Sequence, residues 1–410
     1  MTTTAPRLEI DLDKIYHNAR ALVDRLSLRG ISVTGITKVA LGAPEIATVL
    51  INAGVSSLGD SRIGNIRTMR TAHITAPTML VRSPMLSEVE QVVALADISV
   101  NTELDVVGGL SHAALAARRT HGIVLMVELG DLREGIMPGD LEPFVRAMLD
   151  FPNISLRGIG TNLACRSGVV PDAKNMAELS ALANSIDSSF GHRLRHRRGS
   201  MTGSGLEIVS GGNSASLQWA LSSGDTGRIN NLRLGEAILL GCEPSHRQPI
   251  DGLYTDAFTL IAEVIEMKVK PSKPWGDIAQ AAFGDTPHPA TDRIFDPTTE
   301  GDCTTQTILA LGRQDTDPDG LLPPAGMEIL GASSDHLILD SGRSPLSVGM
   351  EVSFQLNYSA LLRAMTSPFI TQVMKTATCS LPRTRSTQAR RHAGLRSSPL
   401  QTRSESTSQG

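Results

Sequence analysis

"GISVTGITKVALGAPEIATVL", residues 30–50, reads as a buried strand that stops at a lysine and turns into a helix with apolar residues three and four apart. Burial penalises an ammonium group, so a lysine at the C-terminal mouth of a strand is costly unless it is paired, solvated or reacting. Lys38 is therefore the first residue to explain.

Working outward from it, short β-rich runs alternate with helical patterns up to about residue 241. The runs are 31–39, 55–60, 78–82, 97–101, 123–131, 155–162, 206–212 and 236–241, and between them lie segments such as "LSEVEQVVALA" and "NMAELSALANSI". Eight strand-like runs separated by helices predict a parallel βα barrel rather than an open sheet. The fold class is α/β: an N-terminal (β/α)8 TIM-type barrel over residues 1–245, then an antiparallel β domain over 246–375. The second part is read from "AFTLIAEVIEMKV", "TQTILALGRQD", "MEILGASSDHLILD" and "MEVSFQL", which alternate apolar and polar residues between Gly, Pro and Asp turns. In such barrels chemistry sits at the C-terminal ends of the strands, where Lys38, Asp60, Arg82, Arg133, Asn162 and the "SGGNS" turn would converge.

The chain has 410 residues and a formal charge of −4, which removes any general case for nucleic-acid binding. Its four cysteines are scattered without CxxC spacing, so neither a metal site nor a disulfide framework is suggested. The amino terminus lacks the apolar core of a signal peptide, and no stretch approaches the length of a membrane span. The expectation is a cytoplasmic protein with no membrane partner. Residues 376–410, rich in Ser, Thr and Arg, read as a disordered tail, and the basic run 191–205 as an exposed loop before the seventh strand.

The motifs "GDSRIGNI", "LGDLREGI", "GIGTNLAC", "SGGNSASL", "NNLRLGEAILLG", "ALGRQDTDPDGL", "GASSDHLILD" and "ALLRAMTSP" resemble the alanine/ornithine racemase family, which has the alanine racemase fold of pyridoxal-phosphate enzymes. The resemblance covers residues 7 to about 375. It implies that Lys38 is the Schiff-base lysine and that Ser214, Gly235, Glu236 and Tyr358 hold the phosphate of the cofactor. Arg233 would face the pyridine nitrogen, Arg133 would orient the substrate carboxylate, and Asn162 stands where the family carries a histidine. Asp335 aligns with an acidic residue of the second domain that reaches a neighbouring active site, so a homodimer is implied.

One departure from the family matters. Racemisation needs Lys38 on one cofactor face and a second acid/base on the other, in alanine racemases a tyrosine, and the matching position here is Ala281. Cys165, Asp335 and His336 are the candidate replacements, and a thiolate can exchange a proton in this way. The resemblance implies a pyridoxal-phosphate-dependent racemase of a small free amino acid, ornithine or alanine. Two alternatives stand beside it: a decarboxylase of the same fold, and a non-catalytic pyridoxal-phosphate-binding protein.

Overall fold

The structure is a computed structural model that describes residues 4–197, 205–272 and 303–376, with scattered positions between 274 and 283. Ala281, residues 198–204 and the tail from 377 lie outside the described residues. The chain opens on strand β1 (Arg7–Asp11), and the carboxylate of Asp11 then caps the helix Leu12–Ser27 by accepting from the backbone N–H groups of Asp13 and Lys14. That cap answers two of the donors a helix start leaves unpaired. Leu12, Ile15, Ala19, Leu22 and Leu26 form one apolar stripe, and the helix buries it.

Eight parallel strands then close into a barrel. They are β2 (Ser32–Ile36), β3 (Ser57–Asp60), β4 (Thr78–Leu80), β5 (Ile98–Asn101), β6 (His121–Met126), β7 (Ile154–Gly160), β8 (Ile208–Ser210) and β9 (Asn231–Leu234), with β9 pairing back onto β2. Met79, Val100, Val124 and Met126 pack together, with Val81, Ile98 and Ile208 against them, in a cluster separate from the main core. On β7, a Cβ added to Gly158 would lie 1.9 Å from the carbonyl oxygen of Ile208, so β7 and β8 can approach this closely only with glycine there.

The eighth strand is not where the apolar run 236–241 had placed it. Glu236–Leu240 is a short helix that ends at Gly241, whose left-handed φ of 62° no larger residue would adopt easily and whose added Cβ would meet the Tyr254 carbonyl at 2.2 Å. The strand is "NLRL" just before it, with Asn231 and Arg233 buried. A short apolar run cannot be told from a buried helix by periodicity alone, and the two polar residues disguised the true strand. The basic segment also differs from its reading: residues 191–197 continue the helix Ala173–Arg197 rather than form a loop.

The second layer is a sheet of β12 (Leu321–Leu322), β15 (Glu351–Leu356), β10 (Phe258–Pro271), β11 (Cys303–Leu309), β14 (Leu337–Asp340) and β13 (Glu328–Ala332) in that spatial order, every neighbouring pair antiparallel. β1 belongs to this layer and not to the barrel. It pairs antiparallel with β10 and parallel with β16 (Thr371–Lys375). Arg7 fixes this edge by donating to Glu351 at 2.5 and 2.8 Å and to Glu9 at 3.0 Å. Barrel and sheet are parts of one compact unit that runs to Thr376. Among the described residues no helix is long and apolar enough to cross a membrane.

Candidate active site

A cavity of about 670 Å³ opens at the C-terminal ends of the barrel strands. Lys38, Arg133, Asn162, Cys165, Ser214, Arg233, Gly235, Glu236 and Tyr358 all line it. Lys38 follows β2 by two residues, and its Nζ lies 5.4 Å from the centroid of the Tyr358 ring. The tyrosine is delivered from the sheet layer: it is the first residue of the helix Tyr358–Thr366, whose start is capped by Asn357 Oδ1 on the Ala360 N–H at 3.0 Å. Burial pushes the Tyr358 phenol up, while the charge of Lys38 and a hydrogen bond with it pull the other way.

Ser214 joins the loops after β8 and β9. Its Oγ accepts from the backbone N–H groups of Gly235 and Ala237 at 3.3 and 3.2 Å, which leaves its own proton to be donated elsewhere. Asn213 holds the turn by accepting from the Ala215 N–H at 2.8 Å and donating to the Leu163 carbonyl at 2.9 Å.

Arg233 is 5 % exposed and sits at the end of β9. It donates to Ser210 Oγ at 2.5 Å, to the Thr161 carbonyl at 2.7 Å and to Asn162 Oδ1 at 3.4 Å, and has no carboxylate partner among the described residues. Burial is the main cause that lowers its pKa to about 10, helped by the charge of Arg133 and opposed by that of Glu134. At neutral pH it therefore remains a cation. A Cβ added to Gly160 would lie 3.4 Å from Arg233 Nη1, so β7 also leaves the guanidinium its space.

Two long loops bring up the other side. In the loop after β6, Arg133 Nε and Nη2 donate to the two carboxylate oxygens of Glu134, and Nη1 donates to Cys165 Sγ, in the loop after β7, at 2.6 Å. Asn162 stands between donors: turned one way its oxygen accepts from Asn213 Nδ2 at 3.1 Å, turned the other way from Arg133 Nη1 and Nη2 at 3.3 and 3.1 Å. The loops are clasped by Asp131, a carboxylate 1 % exposed that accepts from the Arg166 and Ser167 N–H groups at 2.9 and 3.0 Å. Leu132 and Ala164, the residues just before Arg133 and Cys165, both have left-handed backbones, with φ of 52° and 57°.

Asp60, expected at the mouth, is instead fully buried, and its carboxylate accepts from Thr37 Oγ1 at 2.8 Å, the Arg62 N–H at 2.9 Å and Asn65 Nδ2 at 3.0 Å. It anchors the residue before Lys38. Burial pushes its carboxyl up, and these donors pull it back. Asp335 and His336 lie in the turn between β13 and β14, half exposed and joined to each other at 2.9 Å, and are not among the residues lining the cavity of their own chain. Glu134, Asp131 and Arg247 are functional candidates that the sequence reading missed. Glu134 was visible beside Arg133 in "LGDLREGI", whereas nothing local marked Arg247, which reaches Glu236 at 3.6 Å.

The donor set suits a doubly charged anion such as a phosphate ester. Among the described residues, Lys38, Arg82, Arg133, Arg233 and Arg247 line the cavity against only two carboxylates, Glu134 and Glu236, and Ser214 keeps a hydroxyl proton to donate. Burial pushes the Glu236 carboxyl up, while the charges of Arg247 and Lys38 pull it down.

Residues 10–243 match the family model described as alanine racemase, N-terminal domain. The chain is 38% identical over 371 residues to the lysine racemase of Thermotoga maritima, a match covering 90% of this chain and 98% of that protein. It is 37% identical over 370 residues to the ornithine racemase of Acetoanaerobium sticklandii, covering 89% and 98%. The alanine racemase of Streptomyces coelicolor superposes with a TM-score of 0.66 at 18% identity, over 90% of this chain and 97% of that one, which shows a shared fold. A barrel mouth carrying a strand-end lysine, together with sequence relatives that span nearly the whole chain, makes this protein an amino-acid racemase belonging to the alanine racemase family.

Proposed function

We propose that this chain is a cytoplasmic, homodimeric racemase that uses pyridoxal phosphate to interconvert the enantiomers of a diamino acid, ornithine or lysine. The observation that carries the reading is the buried Arg233, without a carboxylate partner among the described residues, in the same cavity as Lys38, a pairing suited to an anionic, electron-poor ring. When bound, pyridoxal phosphate supplies a conjugated ring that spreads the electron pair left when the substrate loses its α-proton. The Ser214 hydroxyl, the backbone at Gly235 and Glu236 and the Tyr358 phenol are the groups that would hold its phosphate.

Arg233 does not give up a proton near neutral pH, so facing the ring nitrogen it would keep that nitrogen from being protonated. The electron sink would thereby be weak, which would limit side reactions. Lys38 takes or returns the α-proton on one face. Arg133 orients the α-carboxylate through its planar fork. Cys165, in the same cavity and against Arg133, is the candidate for the opposite face, and Asp335 and His336 could serve only from a partner copy.

The test is to incubate the purified holoenzyme with single L-amino acids in deuterated water and follow α-deuterium incorporation and D-isomer formation. Ornithine or lysine should give both, well above alanine. Exchange confined to alanine, or none with any amino acid, overturns the reading.

A further inference from the structure

The seat that Arg133 offers to a substrate carboxylate is already filled by the chain itself. Both oxygens of Glu134 face the guanidinium fork through Nε and Nη2, and the remaining nitrogen, Nη1, is on Cys165 at 2.6 Å. We propose that Glu134 is the specificity residue of the site: a substrate's α-carboxylate displaces it from Arg133, and the displaced Glu134 carboxylate then takes the substrate's side-chain ammonium. This rests on the racemase reading and names what that reading leaves open, the reason a second amino group would be required.

Among the described residues, the other cations of the cavity are already engaged or deeply buried. Arg233 is committed to Ser210, Thr161 and Asn162, Arg247 lies at 3.6 Å from Glu236, and Arg82 is paired with Glu88 at 3.1 Å. Lys38 faces Tyr358. With an amino acid of neutral side chain, Glu134 would be left beside a second carboxylate, and the like charges oppose binding. A diamino acid brings its own cation to meet the displaced Glu134. Glu236, the other carboxylate of the described lining, is a poor alternative because Arg247 already lies 3.6 Å from it. The Arg133 and Glu134 side chains keep 35% and 26% of their surface exposed, so the exchange takes place at the open side of the site.

The experiment uses two probes with no α-amino group and so nothing to racemise, 5-aminopentanoate and pentanoate, which share a carboxylate and differ in the terminal ammonium. Cys165 reports occupancy of Arg133, through protection from iodoacetamide mapped on its own peptide so that the other cysteines do not interfere. In the parent protein 5-aminopentanoate should protect at a concentration on the order of tenfold below pentanoate, the scale of one charge-assisted hydrogen bond. In Glu134→Gln the advantage should vanish, with pentanoate protecting better than in the parent. Glu134→Asp, which keeps the charge, should retain the preference and shows that the site still folds.

In turnover, Glu134→Gln should raise KM for ornithine and lower it for alanine, opposite shifts that a general packing defect would not produce. Equal protection by the two probes in the parent, or an unchanged preference in Glu134→Gln, overturns the proposal even if diamino acids are racemised. Retained probe preference in a protein that racemises no diamino acid supports the role of Glu134 and overturns the substrate reading instead.

Discussion

The two sides of the cavity are built differently. On the side of β2, β8 and β9, Ser214 and Arg233 are buried and fixed by bonds to backbone and hydroxyl groups. On the side of the loops after β6 and β7, Arg133, Glu134 and Cys165 hold one another by charge across partly exposed positions, on backbones that twice pass through the left-handed region. The first side is suited to retaining a cofactor through many turnovers. The second is suited to exchanging partners once per turnover, since exposed ion pairs are worth little net and are easily traded.

The sharpest way to break this contrast is at Cys165, which would be catalytic although it lies on the exchanging side. Cys165→Ala should lower racemisation about 10²–10⁴-fold, the usual range for losing a general acid or base. Deuterium exchange from one enantiomer should persist through Lys38. Asp335→Asn and His336→Ala should remain near the parent, because Cys165 already stands in the cavity against Arg133. If Cys165→Ala racemises both enantiomers normally while either of the other two fails, the second proton carrier comes from the β13–β14 turn of a partner copy.

The retaining side was the more legible of the two in the sequence. Lys38 and Ser214 sit close to strand ends that periodicity alone marks, whereas Arg233 and Gly235 were implied by the family resemblance. Even there the eighth strand was misplaced, because Arg233 inside "NLRL" looks like a surface residue until the cavity is seen. On the exchanging side position along the chain says less. Asp131 ends up buried beside the loops there, as Asp60 does beside Lys38 on the other side, yet only the hydrogen bonds they accept reveal that they anchor the chain rather than face substrate. The placement of β1 was likewise hidden, since its partners β10 and β16 lie some 250 or more residues away and nothing local names them.

A smaller effect sharpens the contrast on the retaining side. Ser214→Ala removes one hydroxyl donor and the acceptor that ties Gly235 to Ala237. Cofactor affinity, followed by the absorbance change on titrating the apoprotein, should weaken about tenfold, while KM for the amino acid at saturating cofactor stays within about twofold. A rise in KM with unchanged cofactor affinity would mean that Ser214 serves the substrate and that the division between the two sides is wrong.

The mirror experiment on the exchanging side is Asp131→Asn, with the smallest expected effect. Asp131 touches neither Arg133 nor Cys165 directly, but it accepts from Arg166 and Ser167, and the Ser167 hydroxyl returns a bond to the Asp131 carbonyl at 2.7 Å. This clasp holds Leu132 and Ala164 in left-handed backbones that side chains adopt at a cost of about 1 kcal/mol or more, and so aims Arg133 at Cys165. An asparagine keeps the shape but offers only one acceptor oxygen for two N–H donors, and it turns an amino group toward one of them. The loops should loosen without the barrel losing its fold. KM for ornithine should then rise about fivefold with kcat and cofactor affinity nearly unchanged, and iodoacetamide should label Cys165 faster as its contact with Arg133 is lost. Should Asp131→Asn instead lower kcat and cofactor affinity together, the two loops are not an independent half of the site, and the clasp transmits to the cofactor side as well.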